Sequence, residues 1–459
     1  MKLLLPIFNG LRARNFFLTD LYPELLAQGV ELVILAPSYK CEYYRATYAH
    51  PNVVFEAWDD TEEPKFARML QWFAFNALGS GTVKAKQYLF YVHDGNLPRF
   101  LLRRLISILF GRQTWVRKFI RALDYQFVSA DPSLVALCKK HDVTAVLAPD
   151  IVLGTDRIVL RVGRALKLPT VGMVRSWDNL TAKGVIQVLP DYLIAQTDAM
   201  KKEAIALGDM DASRIRVCGV TQFDEYWKAP AHMRAAFLQS LGIPADRRII
   251  LCATFFGESS ERSGVVLVNA LAQAIDDGRL PKDIHLLVRY RPEDPNTAGA
   301  PETKDFDHPR ITTTKPYSKV FTSPQGRGDY EFTHKDVDLM VDSLRYSDVT
   351  INTISTLTVD AVALDKPVIN VRFDADPNTA KGDRVELYSH FDHYLALEKT
   401  GGVRLSHSLD ELLSQINAYL ENPKLDEAGR EEIRKKQIEF FDAFSGKRSA
   451  EAIVAILKK

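Results

Sequence analysis

The sequence predicts an α/β protein built from two doubly wound parallel sheets, and three observations carry that expectation. Short runs rich in Leu, Val and Ile recur without polar alternation, as at residues 3–8, 31–35, 145–148 and 249–253; strands buried on both faces read this way. Between them lie segments with helical apolar periodicity, at 16–28, 131–141, 156–166 and 198–207. The alternation then restarts after the more polar stretch 225–243, so the 459 residues read as two Rossmann-like sheets in series rather than one core.

Taken in order, residues 3–8 form a strand, 9–15 a loop, 16–28 a helix closed by Gly29, and 31–35 a second strand. Further strands fall at 53–55, 170–174, 192–195 and 215–217. In the second half, strands at 284–288, 349–351 and 368–371 join the one at 249–253, with helical patterns at 262–277 and 337–346. The Pro- and Gly-rich stretch 291–328 reads as a long loop with one short strand at 311–313. The expected domains are residues 1–232, residues 233–426, and a charged helical segment at 427–459.

Composition narrows the function little. A net charge of +1 points to neither nucleic acid nor membrane, so any such signal must be local. Cys41, Cys138, Cys218 and Cys252 lack C-x-x-C spacing and read as buried thiols of a reducing compartment. The apolar opening is too short for a signal peptide, and no run of about 18 apolar residues could span a bilayer. The cytoplasm or its membrane face is the expected location.

Ligands of open parallel sheets bind beyond the carboxyl ends of the strands, so the loops there hold the candidate chemistry. After the first strand come Asn9 and Gly10, where backbone and ligand could approach closely, then Arg12 and Arg14, two guanidinium groups suited to a phosphate or carboxylate. After 170–174 come Arg175, Trp177 and Asp178: an indole to stack on a sugar ring and a carboxylate to take a proton from an acceptor hydroxyl. Asp178 is the first candidate for general base, against the alternative that it only caps the following turn. His93 and Asp94 are the second candidate. In the second half, Thr254 and Gly257 follow a strand as a phosphate-approach turn would, and Arg289 and Arg291 follow another.

Residues 345–374 read as a strand, a hydroxyl-rich turn, a helix broken by Lys366-Pro367, and a second strand. Ser355 and Thr356 would open the helix, whose unpaired N–H groups suit a phosphate, and Asp360 could accept from sugar hydroxyls. Asp374-x-Asp376 matches a metal-binding pattern that three other places in the chain match as well, so the match carries little weight. No H-E-x-x-H, G-x-S-x-G or P-loop pattern occurs.

Residues 84–124 carry nine basic side chains against two acidic ones, interleaved with Leu, Ile, Phe and Trp at helical spacing. Such a segment suits an anionic lipid surface, with Arg103, Arg104, Arg117 and Arg121 as its expected contacts. No nucleic-acid-binding module accompanies it, so no nucleic-acid partner is expected.

The strand, Ser/Thr, helix, acid, Lys-Pro, strand pattern resembles the nucleotide-binding element of GT-B fold glycosyltransferases. Asp360 stands where that family usually has Glu, in a spacing closer to CDP-glycerol glycerophosphotransferases. NGLRARN at 9–15, VRSWDNLTAKG at 174–184, RIRVCGVTQFD at 214–224 and LLVRYRP at 286–292 extend the likeness, and the SWDN block resembles bacterial GT-B proteins of surface-carbohydrate biosynthesis. The resemblance implies two Rossmann-like domains facing a central cleft. Asn9, Gly10, Arg12, Arg14, Arg175 and Trp177 would serve the acceptor; Thr254, Gly257, Arg289, Arg291, Ser355, Thr356 and Asp360 would serve the donor. It also implies a last helix packed back on the first domain and no cofactor beyond the nucleotide-sugar itself. Arg291 departs from the His usual at its position and cannot act as an acid. The expected activity is metal-independent sugar transfer from a nucleotide-activated donor to a surface-glycan or lipid-linked acceptor. The rivals are a CDP-glycerol-type glycerophosphotransferase, a nucleotide-sugar 2-epimerase and a non-catalytic nucleotide-sugar-binding protein.

Overall fold

A strand turns successive side chains to opposite faces, so a first strand made of consecutive leucines must be covered twice. The computed structural model describes all residues except 60–61, 153, 254–257, 290–305, 315–316, 325–327, 354 and 459, together with the side chains of 258–261. In it, Leu3 and Leu5 enter one apolar cluster and Leu4 enters another. Both faces of the sheet are thus buried, the condition under which parallel sheets are stable.

The chain forms two units. The first comprises residues 1–224, 321–325 and 439–459. Its sheet holds β1 (Lys2–Pro6), β2 (Glu31–Ala36), β3 (Val53–Ala57), β4 (Ala145–Ala148), β5 (Thr170–Met173), β6 (Tyr192–Ala195) and β7 (Ile215–Val217) in the order β3-β2-β1-β4-β5-β6-β7, every pair parallel.

The second comprises residues 225–320 and 326–438. Along this half run β8 (Arg248–Ala253), β9 (Ile284–Arg289), β10 (Ile311–Thr314), β11 (Lys319–Thr322), β12 (Gly328–Glu331), β13 (Val349–Asn352), β14 (Val368–Val371) and β15 (Arg404–Ser406). Six of these form a parallel sheet in the order β10-β9-β8-β13-β14-β15. The other two, β11 and β12, pair with each other; β11 lies inside the stretch expected to be loop, and β12 starts at its last residue. Each large sheet reverses its strand order beside its founding strand, between β1 and β4 and between β8 and β13, which is where ligands of such sheets bind.

Two helical expectations are corrected. Residues 9–15 are not a loop: Asn9 stays extended and its side chain accepts from the Arg12 N–H at 3.1 Å, starting the helix Gly10–Phe17 immediately after β1. The charged terminal segment is two helices, Glu427–Gln437 and Ser445–Leu457, separated by a stretch in which Glu439 and Ala443 adopt positive φ. In the second unit, Arg430 fixes the earlier helix by bonding Asp365 and the carbonyls of Leu425 and Pro423. The later helix belongs to the first unit. Buried Asp224 accepts from the N–H groups of Ser445 and Gly446 at its start, at 3.0 and 2.7 Å. A side chain at Gly446 would come within 2.8 Å of the Leu21 backbone, so only glycine lets this helix lie against Leu21–Ala27.

Between β3 and β4 stand the helices Lys65–Asn76, Gly81–Asp94, Leu97–Phe110 and Thr114–Phe127, packed around Leu70, Val83, Ile106, Val116 and Ile120. Charges clamp them to the sheet. Arg161, on the helix after β4, bonds both oxygens of Asp124 at 2.9 and 2.7 Å and also reaches Glu63, which Arg157 shares. Arg117 and Arg121 converge on Asp209. This overturns part of the membrane expectation, because Arg103, Arg117 and Arg121 are buried and serve the interior. Arg104 is half-buried with its guanidinium over the Phe100 ring.

Asp124 therefore tests how the helical insertion is held. Removing one partner of a buried ion pair strands the other charge, so Asp124→Ala should destabilise the protein by about 3–5 kcal/mol, read as a lowered urea midpoint.

Candidate functional site

The first unit's strand ends carry a buried charge network across the point of strand reversal. After β1, Arg12 extends to the helix that follows β4. Its Nη2 lies 2.8 Å from Asp156 Oδ2 and its Nη1 donates to Thr155 Oγ1 at 2.7 Å. The other oxygen of Asp156 accepts from the Asp150 N–H at 2.7 Å. The Asp150 carboxylate in turn receives Arg175 Nε at 2.8 Å and Asn179 Nδ2 at 3.2 Å. Two acids and two guanidinium groups thus link the ends of β1, β4 and β5. Arg12 is therefore not an open phosphate anchor; a buried cation requires its partner, and Asp156 supplies it. Among the described residues, Arg12 Nε and Asn179 Oδ1 remain buried without a hydrogen-bond partner, leaving the network polar capacity for a ligand.

Burial pushes the Asp156 carboxyl up to about 7; Arg12 opposes the rise and neighbouring Asp150 adds to it. A tighter hold on the proton in the folded state has a definite sign.

The other first-unit candidates divide. Asn9 is a helix cap, Gly10 is the first helical residue, and Arg14 donates to Asn15 and, at 3.3 Å, to Gln222. Trp177 and Asp178 are half-buried beyond β5. Asp178 precedes the short helix Asn179–Ala182 without a side-chain cap bond, so the cap alternative does not describe it. Its charge instead favours the ammonium of Lys86, which burial, aided by Lys183, nonetheless pushes down to about 8. Lys86 donates to the Ala182 carbonyl at 3.0 Å. His93 and Asp94 are exposed at the far end of the same helix, seven residues or roughly 10 Å beyond Lys86. The structure does not bring them to Asp178.

In the second unit the loop after β13 meets the other strand reversal. Ser355 Oγ accepts from the Leu357 N–H at 3.2 Å, while Thr356 is the residue from which the helix Leu357–Ala363 starts. Thr358 Oγ1 lies 3.1 Å from Asn352 Oδ1 and 3.0 Å from Asn370 Oδ1. One hydroxyl has one proton and cannot donate to both. However the Asn352 amide is turned, one of its polar atoms lacks a partner among the described residues, and Thr353 Oγ1 beside it lacks one as well. Asp360 is largely buried and accepts from the Tyr226 hydroxyl at 2.5 Å. Arg289 ends β9 and is largely buried too. Thr254, Gly257 and Arg291 lie outside the described residues. Asp374 and Asp376 act locally, accepting from the N–H groups of Val385 and Asn378.

Sequence reasoning missed Asp150, Thr155, Asp156, Lys86 and Tyr226. The first three were findable, since Asp150 stands two residues past a strand and Gly154-Thr155-Asp156 opens a helix at the sheet's point of reversal. A cavity of about 730 Å³ lies at the opposite, amino-terminal ends of β5 and β6, lined partly by Arg164, Lys167 and Asp191. Asp191 there is spent on the backbone and hydroxyl of Thr170.

No protein-family model and no curated protein matches this sequence. Solved structures do. The UDP-GlcNAc 2-epimerase of Neisseria meningitidis bound to UDP-GlcNAc gives a TM-score of 0.54 at 14% identity over 100% of both chains. MnaA of S. aureus with UDP gives 0.56 at 11% identity over 100% of this chain and 97% of that one. A glycosyltransferase from Rickettsia africae gives 0.50 at 12% identity over 100% and 98%. The likeness places the chain in the GT-B fold class, two Rossmann-like units in series.

Asp156 gives a test of the first network. An acid with a raised folded pKa stabilises the fold below its unfolded value of about 3.9 and loses that contribution as pH climbs through the folded value. Urea midpoints should therefore contain a component that falls between about pH 4 and about 7. Asp156→Asn should lack that component.

Proposed function

We propose that this protein is a nucleotide-sugar-dependent glycosyltransferase that binds its donor at the end of β13 and its acceptor at the ends of β1 and β5. The observation that carries the reading is the pair of buried polar groups at Asn352 and Thr353 that lack partners among the described residues, beside Ser355 and Asp360, at a strand reversal. A diphosphate and a ribose supply the oxygens and hydroxyls such a site would use. Asp360 would take ribose hydroxyls in exchange for Tyr226. Asp178 would accept the proton of the attacking acceptor hydroxyl. The acceptor is a surface glycan or lipid-linked glycan, and the enzyme works in the cytoplasm on the inner face of the membrane; the apolar helical insertion supports that setting.

A second reading, a nucleotide-sugar 2-epimerase, is favoured by the structural likeness to proteins solved with UDP and UDP-GlcNAc. It needs no acceptor, so incubation with UDP-GlcNAc alone separates the two: a 2-epimer in the product supports it, and donor that stays intact until acceptor is added supports transfer.

Calorimetric titration with UDP tests the donor site. Asp360→Ala should weaken binding roughly tenfold or more, the usual loss for a charged hydrogen bond, whereas Tyr226→Phe should leave it near wild type. Equal losses in both variants would make Asp360 a packing residue only. Asp178→Asn should lower turnover by roughly 10²–10⁴ with UDP affinity unchanged.

A further inference from the structure

A helix on a globular surface normally turns its apolar stripe inward. The helix Leu97–Phe110 does so with Ile106, yet Leu97, Leu101, Leu105, Ile108 and Leu109 are exposed along its other side. Leu97, Leu101, Leu105 and Leu109 follow one another every four residues and Ile108 lies three beyond Leu105, which makes one continuous stripe on a helix. In the next helix, Trp115 and Phe119 are exposed one turn apart, Trp115 at 60%. The Phe110 and Trp115 rings meet edge-on at 6.3 Å, joining the two helices. Apolar exposure on this scale marks a surface that is covered in use.

Charge identifies what covers it. Residues 95–123 contain no Asp or Glu. With Arg103, Arg117 and Arg121 turned inward, the cations left on the outside are Arg99, Arg112 and Lys118 beside half-buried Arg104. Asp94, the nearest acid before them, already sits 3.9 Å from Arg99 and Arg103. A second copy meeting this face about a two-fold axis would set cation rim against cation rim. An anionic lipid surface accepts both the cations and the apolar stripe. A helix of 14 residues is about 21 Å long, short of a hydrocarbon core of about 30 Å, and no described helix is long and apolar enough to cross a membrane.

We infer that the exposed face of the helices Leu97–Phe110 and Thr114–Phe127 docks in the headgroup zone of an anionic bilayer by inserting its leucine, isoleucine and tryptophan side chains, an inference that rests on the lipid-linked acceptor proposed above. Insertion holds the protein, and the few exposed cations select the leaflet. Binding is therefore only partly reversed by salt, unlike a purely electrostatic dock.

Cosedimentation of the full chain with vesicles of phosphatidylcholine, alone or mixed with phosphatidylglycerol, tests this. The wild type should pellet with the mixed vesicles and keep part of that binding at high salt. Leu105→Ser with Ile108→Ser should weaken it about tenfold or more even at low salt. Arg99→Gln, Arg112→Gln and Lys118→Gln together should remove the preference for phosphatidylglycerol while leaving weak binding. Mixed vesicles should shift tryptophan emission to the blue, and Trp115→Phe should abolish the shift. Three results would overturn the inference: no wild-type pelleting at low salt, unchanged pelleting of the serine variant, or a wild-type dimer that the serine variant dissolves without any vesicle binding. UDP titration of the same preparations keeps the two readings apart. UDP binding without vesicle binding overturns docking alone, and vesicle binding without UDP binding or turnover overturns the transferase.

Discussion

The Arg12–Asp156 ion pair joins the two strand ends between which the first sheet changes direction, and much of that unit's chemistry hangs from it. A parallel sheet leaves a crevice at such a reversal. Here the crevice is tied by groups that must stay paired, because an uncompensated buried charge costs far more than the pair contributes. Asp156 holds the Asp150 backbone, Asp150 holds Arg175 and Asn179, and the Gln196 side chain holds the Arg175 carbonyl. The segment bearing Trp177 and Asp178 is therefore positioned by a relay of polar contacts that starts at the first helix of the chain. Preorganisation of this kind lets a candidate base act without first being ordered.

The two units solve the same topological problem with different chemistry. At its reversal the first unit places ionised groups and satisfies most of them internally. The second places neutral amides and hydroxyls, Asn352, Thr353, Thr358 and Asn370, and leaves some unsatisfied among the described residues. Neutral groups with spare capacity suit a ligand that brings its own charge, whereas a network already charged and paired suits one that is mostly hydroxyl.

The strands were legible because apolar runs buried on both faces leave little ambiguity: β4, β6 and β7 fall on the residues that the hydrophobic pattern marks. The helix start at Gly10 was hidden because Asn9 reads equally as a turn residue and as a cap, and only its bond to the Arg12 N–H decides. Burial of arginines was not legible. Arg12, Arg103, Arg117 and Arg121 look solvent-seeking in sequence, and their partners Asp156, Asp94 and Asp209 lie tens of residues away or, for Asp94, across a turn. Asp360 was visible as a candidate from local pattern, but its bond to Tyr226 joins residues 134 apart. Local chemistry can be read along the chain, while pairing across the fold cannot.

The helix Ser445–Leu457, held by Asp224 and seated through Gly446, makes the first unit discontinuous in the chain. Nascent chains fold from the amino end as they emerge from the ribosome. The first sheet is therefore synthesised early, yet the cluster containing Ala450, Ile453 and Val454 stays open until the entire second unit has been translated. During that interval Phe16, Leu21 and Leu25 face the surroundings uncovered by their last partner. The final residues thus act as a closing clasp, and a chain truncated before them carries an exposed apolar groove that chaperones and proteases would read as unfinished.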